Sequence, residues 1–263
     1  MALKETLHDE LAGAATRIGN LRFSGSYDWG TLGPMAKLMA FLLALLIGGT
    51  AWAQETPPPG VKDLPLVELP ADSPLPFLAV FLSGDGGWAD LDRQAGGSLA
   101  SGGIPVIGWN TLKYFLSPRT PEGATRDLER ILVYYLDRWN KREVVLIGYS
   151  RGADILPFMT SRLPAVRLRQ VRLLALLGPA TSTQFQGLTA DLLKVGQQTP
   201  VLPMRPELEK LRGLRILCLY GADETDTLCA GMDPRLAKCV RLPGGHHFGG
   251  SYREIADRIL SEL

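Results

Sequence analysis

The stretch Val144-Val-Leu-Ile-Gly148-Tyr149-Ser150-Arg151-Gly152-Ala153-Asp154 decides the fold of this chain. Apolar residues lead directly into a Gly-x-Ser-x-Gly pattern, and an apolar pattern at helical spacing follows as far as Leu163. A serine held on a sharp turn between a buried strand and a helix needs neighbours without Cβ atoms, and Gly148 and Gly152 meet that need. The stretch therefore predicts a strand, a tight turn that exposes Ser150, and a helix.

Other short apolar runs, rich in Val, Ile and Leu, predict further strands that are buried on both faces. They are Phe77–Leu82, Ile104–Gly108, Val171–Leu177, Leu214–Tyr220 and Cys239–Leu242. Two patterns predict helices: one is capped by Thr120 and extends to Trp139, and the other covers Tyr252–Leu260. Because strands alternate with helices, the sequence predicts an α/β fold with a mostly parallel central sheet and helices on both faces. Residues 180–206 break the alternation and are either a cap over an active site or a long connection.

Composition excludes several function classes. The chain has 263 residues, of which 46% are hydrophobic, and its 28 basic and 27 acidic residues leave a net charge of +1. Such a balance gives no reason to expect a nucleic-acid partner. Its three cysteines and three histidines lack the spacing of zinc ligands. We therefore predict neither a metal nor a cofactor.

The N-terminal region has the features of an export signal. Lys37 precedes ten apolar residues at 38–47, and the small-x-small triplet Ala51-Trp52-Ala53 follows. We predict translation from Met35, cleavage after Ala53 and a periplasmic protein; the alternative is a short membrane anchor. The predicted division is residues 1–53 as an N-terminal extension with signal peptide, 54–75 as a linker leading into the fold, and 76–263 as the domain.

A serine nucleophile needs a base, and histidine is scarce. His246 and His247 follow the last predicted strand, in Leu242-Pro-Gly-Gly-His-His-Phe248. The order serine, acid, histidine is that of α/β-hydrolases. We favour His247 as the base, because Pro-Gly-x-x-His-Phe is the usual spacing in that fold, and keep His246 as the alternate.

The acid of the triad is expected after the strand at 214–220. Three carboxylates follow Gly221 within five residues, at Asp223, Glu224 and Asp226. An acid three residues after the glycine is usual in this fold, which selects Glu224, whereas residue type favours Asp223. Asp226 is a weaker third candidate, so the choice among the three stays open.

The glycine-rich run Ser83-Gly-Asp-Gly-Gly-Trp88 follows the first buried strand, where this fold places part of its oxyanion hole. We assign the backbone N–H groups of Asp85 and Arg151 as the oxyanion donors; the alternative for the run is a turn that caps the next helix. The carboxylates of Asp85 and Asp154 flank the predicted site and could hold a cationic group of the substrate.

The cysteines suggest one cross-link. In an oxidising compartment Cys229 and Cys239, ten residues apart, could form a disulfide, while Cys218 within a buried strand would remain a packed thiol. The alternative is three unpaired cysteines.

Taken together, these motifs resemble the bacterial virulence protein VirJ/AcvB family. The resemblance covers nearly all of residues 76–263 and is carried by the glycine-rich run at 83–88, by 148–158, by Gly221 to Cys229 and by 242–248. It implies a periplasmic α/β-hydrolase that acts on lysyl- or alanyl-phosphatidylglycerol, peripheral to the outer leaflet of the inner membrane, with secretion-system proteins as further partners. Arg151 departs from the family pattern, in which an aromatic residue is common.

The resemblance predicts a serine hydrolase that cleaves the aminoacyl ester of a membrane lipid. Two other functions are compatible with the same residues. One is a non-catalytic periplasmic partner of a secretion system that retains the hydrolase fold, and the other is a generic esterase or lipase.

Overall fold

The structure, a computed structural model, describes residues 60–185 and 200–263. Its strands are β1 (Leu66–Leu69), β2 (Phe77–Leu82), β3 (Val106–Trp109), β4 (Glu143–Tyr149), β5 (Val171–Leu177), β6 (Ser182–Thr183), β7 (Leu202–Pro203), β8 (Ile216–Gly221) and β9 (Lys238–Leu242). Its α-helices are α1 (Asp90–Ser101), α2 (Thr111–Tyr114), α3 (Pro121–Arg138), α4 (Arg151–Thr160), α5 (Ala165–Leu168), α6 (Met204–Glu209) and α7 (Tyr252–Leu260). Short 3₁₀ turns cover Leu228–Gly231 and Phe248–Gly250.

Seven of these strands form one sheet in the order β1-β3-β2-β4-β5-β8-β9. Every neighbouring pair runs parallel except β1 and β3, which are antiparallel. The carboxyl ends of the parallel strands therefore share one edge of the sheet, where this architecture places its ligands. The predicted mostly parallel α/β fold is confirmed, and the predicted strands agree with the observed ones to within two residues at either end.

The sheet is covered on both faces, as predicted. Residues that alternate along β2 point to opposite sides: Leu78 and Val80 belong to one apolar cluster, with α3, α4 and α6, while Ala79 and Phe81 belong to the other, with α1 and α7. All four side chains are fully buried. Near-continuous apolar strands are what burial on both faces requires.

The helix predicted after Thr120 is α3. The Thr120 hydroxyl accepts a hydrogen bond from the Gly123 N–H at 3.0 Å, and Pro121 occupies the first turn. Both features stabilise a helix N-terminus, which is why its start could be read correctly.

Strand β1 was not predicted, and it lies within residues 54–75, which we interpreted as a linker. Its four residues are only half-buried, and Pro65 and Pro70 bound it. An edge strand next to prolines lacks the fully apolar character of the central strands. The hydrophobic pattern of the sequence therefore did not predict it.

Two other interpretations fall wholly or partly outside the described ranges. The predicted signal peptide and the boundary at residue 53 lie entirely outside them. Within the predicted irregular stretch at 180–206, β6 and β7 form a small antiparallel pair, and residues 186–199 lie outside the described ranges. Among the helices in residues 60–185 and 200–263, none has both the length and the apolar character to cross a bilayer.

Candidate active site

Ser150 lies on a sharp turn between β4 and α4, at the carboxyl edge of the sheet. Its φ of 51° and ψ of −121° place a side-chain-bearing residue in a strained region of backbone space. Such a residue costs on the order of 1–3 kcal/mol and persists only where its surroundings hold it. The Ser150 N–H donates to the Leu177 carbonyl at 2.9 Å, and the Ser150 carbonyl accepts from the Asp154 N–H at 3.0 Å. The predicted strand–turn–helix is therefore present.

Both glycines of the Gly-x-Ser-x-Gly pattern are required by close backbone contacts. A Cβ atom on Gly148 would overlap the carbonyl of Gly152, and one on Gly152 would overlap the carbonyl of Leu82. The absence of these two Cβ atoms lets α4 begin directly against the ends of β4 and β2.

Glu224 and His246 form the acid–histidine pair. The Nδ1 atom of His246 lies 2.6 Å from Oε1 of Glu224, whose side chain is 10% exposed. The other carboxylate oxygen, Oε2, accepts the Gly221 N–H at 2.6 Å, which fixes the carboxylate across its own loop. Asp223 and Asp226, the other candidates for the acid, are exposed. The acid that the three-residue spacing selected is thus the one that contacts a histidine.

The histidine in that pair is His246, the alternate, and not His247 as we favoured. Nδ1 of His247 lies 2.9 Å from the hydroxyl of Tyr149, and His247 is exposed. Burial raises the pKa of Tyr149 above its usual range, so the hydroxyl keeps its proton, and it donates to the His246 carbonyl at 3.3 Å. The Tyr149 ring also lies over the His246 ring, with 5.3 Å between centroids. The adjacent side chains of His246 and His247 point in different directions, and sequence spacing does not show which of the two meets the acid.

Gly178 lies against this pair. It follows β5 with a φ of +59°, and a Cβ atom there would lie 2.9 Å from Cε1 of His246 and 3.3 Å from Oε1 of Glu224. A glycine is therefore needed at this position for two reasons, the backbone conformation and the space occupied by the imidazole.

The glycine-rich loop after β2 lies beside Ser150. A Cβ atom on Gly84 would be 3.3 Å from the Ser150 Cβ atom, so the peptide that joins Gly84 to Asp85 borders the nucleophile. The carbonyl of Gly84 accepts hydrogen bonds from the Thr111 hydroxyl at 2.7 Å and from the Gly87 N–H at 3.0 Å. Because the C=O and N–H of a trans peptide point in opposite directions, these bonds turn the Asp85 N–H away from Thr111. That orientation is compatible with the role of oxyanion donor, which stays a prediction for this residue.

Thr111 holds the loop at a second point. Its hydroxyl also donates to the Ser83 carbonyl at 2.8 Å, and its N–H donates to the Ser83 hydroxyl at 3.0 Å. Both side chains are fully buried. This network of buried hydrogen bonds fixes the position of the glycine-rich loop.

A cavity of about 320 Å³ opens beside Ser150. It is lined by residues of the glycine-rich loop, of the start of α1, and of the Tyr149–Ser150 and histidine segments. They are Gly84, Asp85, Gly86, Gly87, Ala89, Asp90, Leu91, Asp92, Tyr149, Ser150, His246, His247 and Tyr252. The predicted nucleophile, both candidate bases and Asp85 therefore meet in one place.

The remaining predicted binding residues are placed differently. Oδ1 of Asp85 lies 3.4 Å from Nη1 of Arg151, whose guanidinium group stacks over the Phe115 ring at 4.5 Å. Asp154 does not line the cavity: its Oδ1 accepts the Ala180 N–H at 2.8 Å, and burial raises its pKa to about 7. Its carboxylate supports the backbone after β5, so the substrate contact that we predicted for Asp154 does not fit this geometry.

The predicted Cys229–Cys239 disulfide is wrong. The disulfide joins Cys218 of β8 to Cys229, with 5.7 Å between their Cα atoms, and Cys239 is a free, exposed cysteine. The chain after Gly221 folds back so that the 3₁₀ turn at Leu228–Gly231 lies on β8. Cys239 stands on the edge strand β9 with an exposed side chain, whereas Cys229 is buried beside Cys218. The resulting bridge closes the loop that carries Glu224.

Histidine, cysteine and acidic side chains of residues 60–185 and 200–263 form no group of three or more that could hold a metal ion. Sequence reasoning missed Tyr149, Thr111 and Gly178 as parts of the site. Thr111 and Gly178 each follow a parallel strand within two residues, a position that places them at the carboxyl edge of the sheet. That position is the signal by which they could have been found.

Comparisons with known proteins give the family and agree with the fold. The sequence model of the family described as bacterial virulence protein (VirJ) matches residues 76–263. No curated protein matches the chain.

Solved structures match at low identity. Est1E from Butyrivibrio proteoclasticus with bound ferulic acid is 10% identical, with a TM-score of 0.52 over 77% of this chain and 97% of that one. MenH from S. aureus is 15% identical, with a TM-score of 0.52 over 75% and 98% of the two chains. A lipase-esterase related protein from Clostridium acetobutylicum is 16% identical, with a TM-score of 0.50 over 76% and 99%. At these identities the likeness establishes the α/β-hydrolase fold alone.

Proposed function

Since the chain belongs to the bacterial virulence protein (VirJ) family and has the α/β-hydrolase fold, we propose that it is a serine hydrolase of carboxylic esters. The observation that carries the proposal is the Glu224–His246 pair, with 2.6 Å between Oε1 and Nδ1, whose histidine lines the same cavity as the strained Ser150. A histidine oriented by a carboxylate, in the same cavity as a half-buried serine, is the arrangement that activates a hydroxyl as a nucleophile.

In the first half of the reaction, the Ser150 hydroxyl oxygen attacks the ester carbonyl carbon and its proton passes to Nε2 of His246. Glu224 accepts the Nδ1–H bond, which holds the imidazole in the required tautomer and stabilises the imidazolium. The N–H groups of Asp85 and Arg151 then stabilise the negative oxygen of the tetrahedral intermediate. Collapse of that intermediate breaks the bond to the alcohol oxygen, which leaves with the proton from His246.

In the second half, water attacks the acyl-enzyme. His246 takes a proton from the water molecule and returns it to the Ser150 oxygen when the acyl bond breaks. The products are the free acid and the regenerated hydroxyl, so protons and bonds balance over the cycle and no cofactor is required.

For the substrate, we propose the aminoacyl ester of lysyl- or alanyl-phosphatidylglycerol. Two features support it. The cavity lining carries three aspartates and neither lysine nor arginine, which favours a cationic acyl group. Leu112 and Leu116 lie in or beside α2 with 37% and 55% of their surfaces exposed, and the Leu112 Cβ atom is 3.2 Å from the Cβ position of Gly87. Apolar side chains exposed beside the cavity could rest against a lipid surface.

The proposed location is the periplasm, on the outer leaflet of the inner membrane, with secretion-system proteins as further partners. It rests on the export pattern at residues 35–53 and on the family resemblance. N-terminal sequencing of the exported protein should begin at Gln54; a mature protein that begins near residue 1 would contradict the export step.

The function is tested by comparing esters. Vesicles of phosphatidylglycerol that contain lysyl- or alanyl-phosphatidylglycerol are incubated with wild type and with Ser150→Ala, and free amino acid is measured beside the hydrolysis of short acyl esters. We expect wild type to release the amino acid faster than it cleaves the acyl esters, and Ser150→Ala to do neither. Hydrolysis of acyl esters alone would indicate a generic esterase or lipase. No hydrolysis of any ester would indicate a non-catalytic secretion partner.

A further inference from the structure

The cavity beside Ser150 has an acidic wall, and most of its carboxylates already have a cationic partner. Oδ1 of Asp85 faces Arg151 at 3.4 Å, and Oδ1 of Asp90 forms an ion pair with Arg93 at 2.6 Å. Asp85 and Asp90 are also open to water, with 55% and 76% of their side chains exposed. Neither carboxylate needs a further ligand.

Asp92 differs from both. It lies in the first turn of α1 and is 1% exposed. Its Oδ2 accepts the Ala89 N–H at 3.1 Å, whereas its Oδ1 is buried without a hydrogen-bond partner among the described residues. Burial raises the pKa of Asp92 to about 6, which leaves the carboxylate largely ionised at neutral pH.

A buried carboxylate oxygen without a donor costs free energy, and native proteins seldom retain one without a use. The capping box of α1 explains Oδ2, which accepts the N–H of the N-cap residue Ala89, but it does not explain Oδ1. The unpartnered Oδ1 atom therefore requires an explanation, and the feature next to it is the cavity that holds Ser150 and His246.

We propose that Asp92 is a specificity-determining residue, the counter-charge that makes this cavity prefer esters whose acyl part carries an ammonium group near the carbonyl. The inference rests on the proposed esterase function and goes beyond it by assigning the selection to one residue. A cavity of about 320 Å³ suits an acyl group the size of an amino acid better than a long hydrocarbon chain. Within such a space the carboxylate attracts a cation more strongly than it would in water.

The test uses two esters of glycerol that differ only in the ammonium group, the alanyl and the propionyl ester. The variant Asp92→Asn keeps the size of the side chain and an oxygen that can accept the Ala89 N–H, but it removes the charge. Asp137→Asn, on the exposed side of α3, removes the same charge from the protein surface and serves as the control. The kcat/KM of each ester is measured at pH 7.

We expect Asp92→Asn to lower kcat/KM for the alanyl ester about 10- to 100-fold and to leave the propionyl ester within about threefold of wild type. Asp137→Asn should change neither ester by more than about twofold. Equal effects of Asp92→Asn on the two esters, or no effect on either, would overturn the inference while leaving the esterase function intact. Failure of wild type to cleave any ester would instead reject the proposed function.

A second measurement uses wild type alone, in case Asp92→Asn does not fold. Alaninamide and propionamide are compared as competitive inhibitors of propionyl ester hydrolysis. The inference predicts that alaninamide inhibits at a concentration at least about tenfold lower, because only it carries the ammonium group. Equal inhibition by the two amides would count against a cation site in this cavity.

Discussion

Replacing Thr111 with valine removes the hydroxyl group that hydrogen-bonds to the glycine-rich loop. We expect this substitution to slow catalysis far more than it weakens substrate binding. The side chains have the same shape, so packing is kept. What is lost is the donor to the Ser83 carbonyl at 2.8 Å and to the Gly84 carbonyl at 2.7 Å. The Gly84 carbonyl retains two donors, the Gly87 N–H at 3.0 Å and the Ser83 hydroxyl at 3.2 Å, so the loop is loosened but not released.

The magnitude follows from what the loop does. Removing an oxyanion donor outright costs about 10²–10³ in kcat. Loosening the peptide that carries the Asp85 N–H should cost less, about 10- to 100-fold, or about 1.4–2.7 kcal/mol in the transition state. KM should change by less than about threefold, because the oxyanion forms only after substrate has bound. The buried Ser83 carbonyl, left without the hydroxyl, should lower the free energy of unfolding by about 1–3 kcal/mol.

The assay is steady-state hydrolysis of a short acyl ester by wild type, Thr111→Val and Thr111→Ser. The serine variant keeps the hydroxyl and loses only a methyl group, so its kcat should stay within about threefold of wild type. Circular dichroism confirms that each variant is folded at the assay temperature. A folded Thr111→Val protein with wild-type kcat, or one in which KM rises while kcat holds, would refute the role given to this hydroxyl.

Three further results are expected. Gly178→Ala should lower kcat at least about tenfold at nearly unchanged KM, because its Cβ atom would lie 2.9 Å from Cε1 of His246; wild-type kcat would contradict the placement of that ring. Peptide mapping without reductant should recover a Cys218–Cys229 cross-link and one free thiol, and reduction should cost about 2–3 kcal/mol of stability; any other pairing would contradict the structure. Burial raises the pKa of Asp154 to about 7, so the folded state keeps a proton that the unfolded chain loses from about pH 4 upward, and wild-type stability falls through this window. The rise in the pKa of Asp154 from 3.8 to about 7 corresponds to about 4 kcal/mol at pH 8. Asp154→Asn should therefore have the wild-type melting temperature at pH 4 and a melting temperature about 8–16 °C higher than wild type at pH 8; a difference independent of pH would argue against a raised pKa.

The strand, turn and helix around Ser150 could be predicted from sequence because their determinants are contiguous. The run from Val144 to Asp154 contains the strand, the two glycines whose backbones touch, and the start of the helix. The choice of Glu224 also had a local basis. Its carboxylate reaches back three residues to the Gly221 N–H, so the spacing from that glycine sets where the acid lies.

The choice between His246 and His247 could not be made in the same way. Both follow the same glycines, and the decision depends on which ring meets a carboxylate 22 or 23 residues earlier in the chain, a contact set by the packing of two loops. Tyr149 contacts the other ring, with 2.9 Å between its hydroxyl and Nδ1 of His247, and the Gly-x-Ser-x-Gly pattern does not specify the residue at that position.

The disulfide illustrates a related difficulty. The prediction took Cys218 to be a packed thiol because a central strand buries it, and paired the two cysteines outside that strand. The loop that follows β8 folds back over it, so Cys229 meets a buried partner instead. A fold-back of this kind is a tertiary contact, for which spacing along the chain gives no signal.

The rate at which a fluorophosphonate labels Ser150, followed by intact mass, is the most direct test of the proposed triad. Wild type should gain a single adduct, which Ser150→Ala abolishes. The structure predicts that His246→Asn slows labelling by about 10³-fold, while His247→Asn stays within about tenfold of wild type. Labelling that depends on His247 and proceeds at the wild-type rate in His246→Asn would contradict the account.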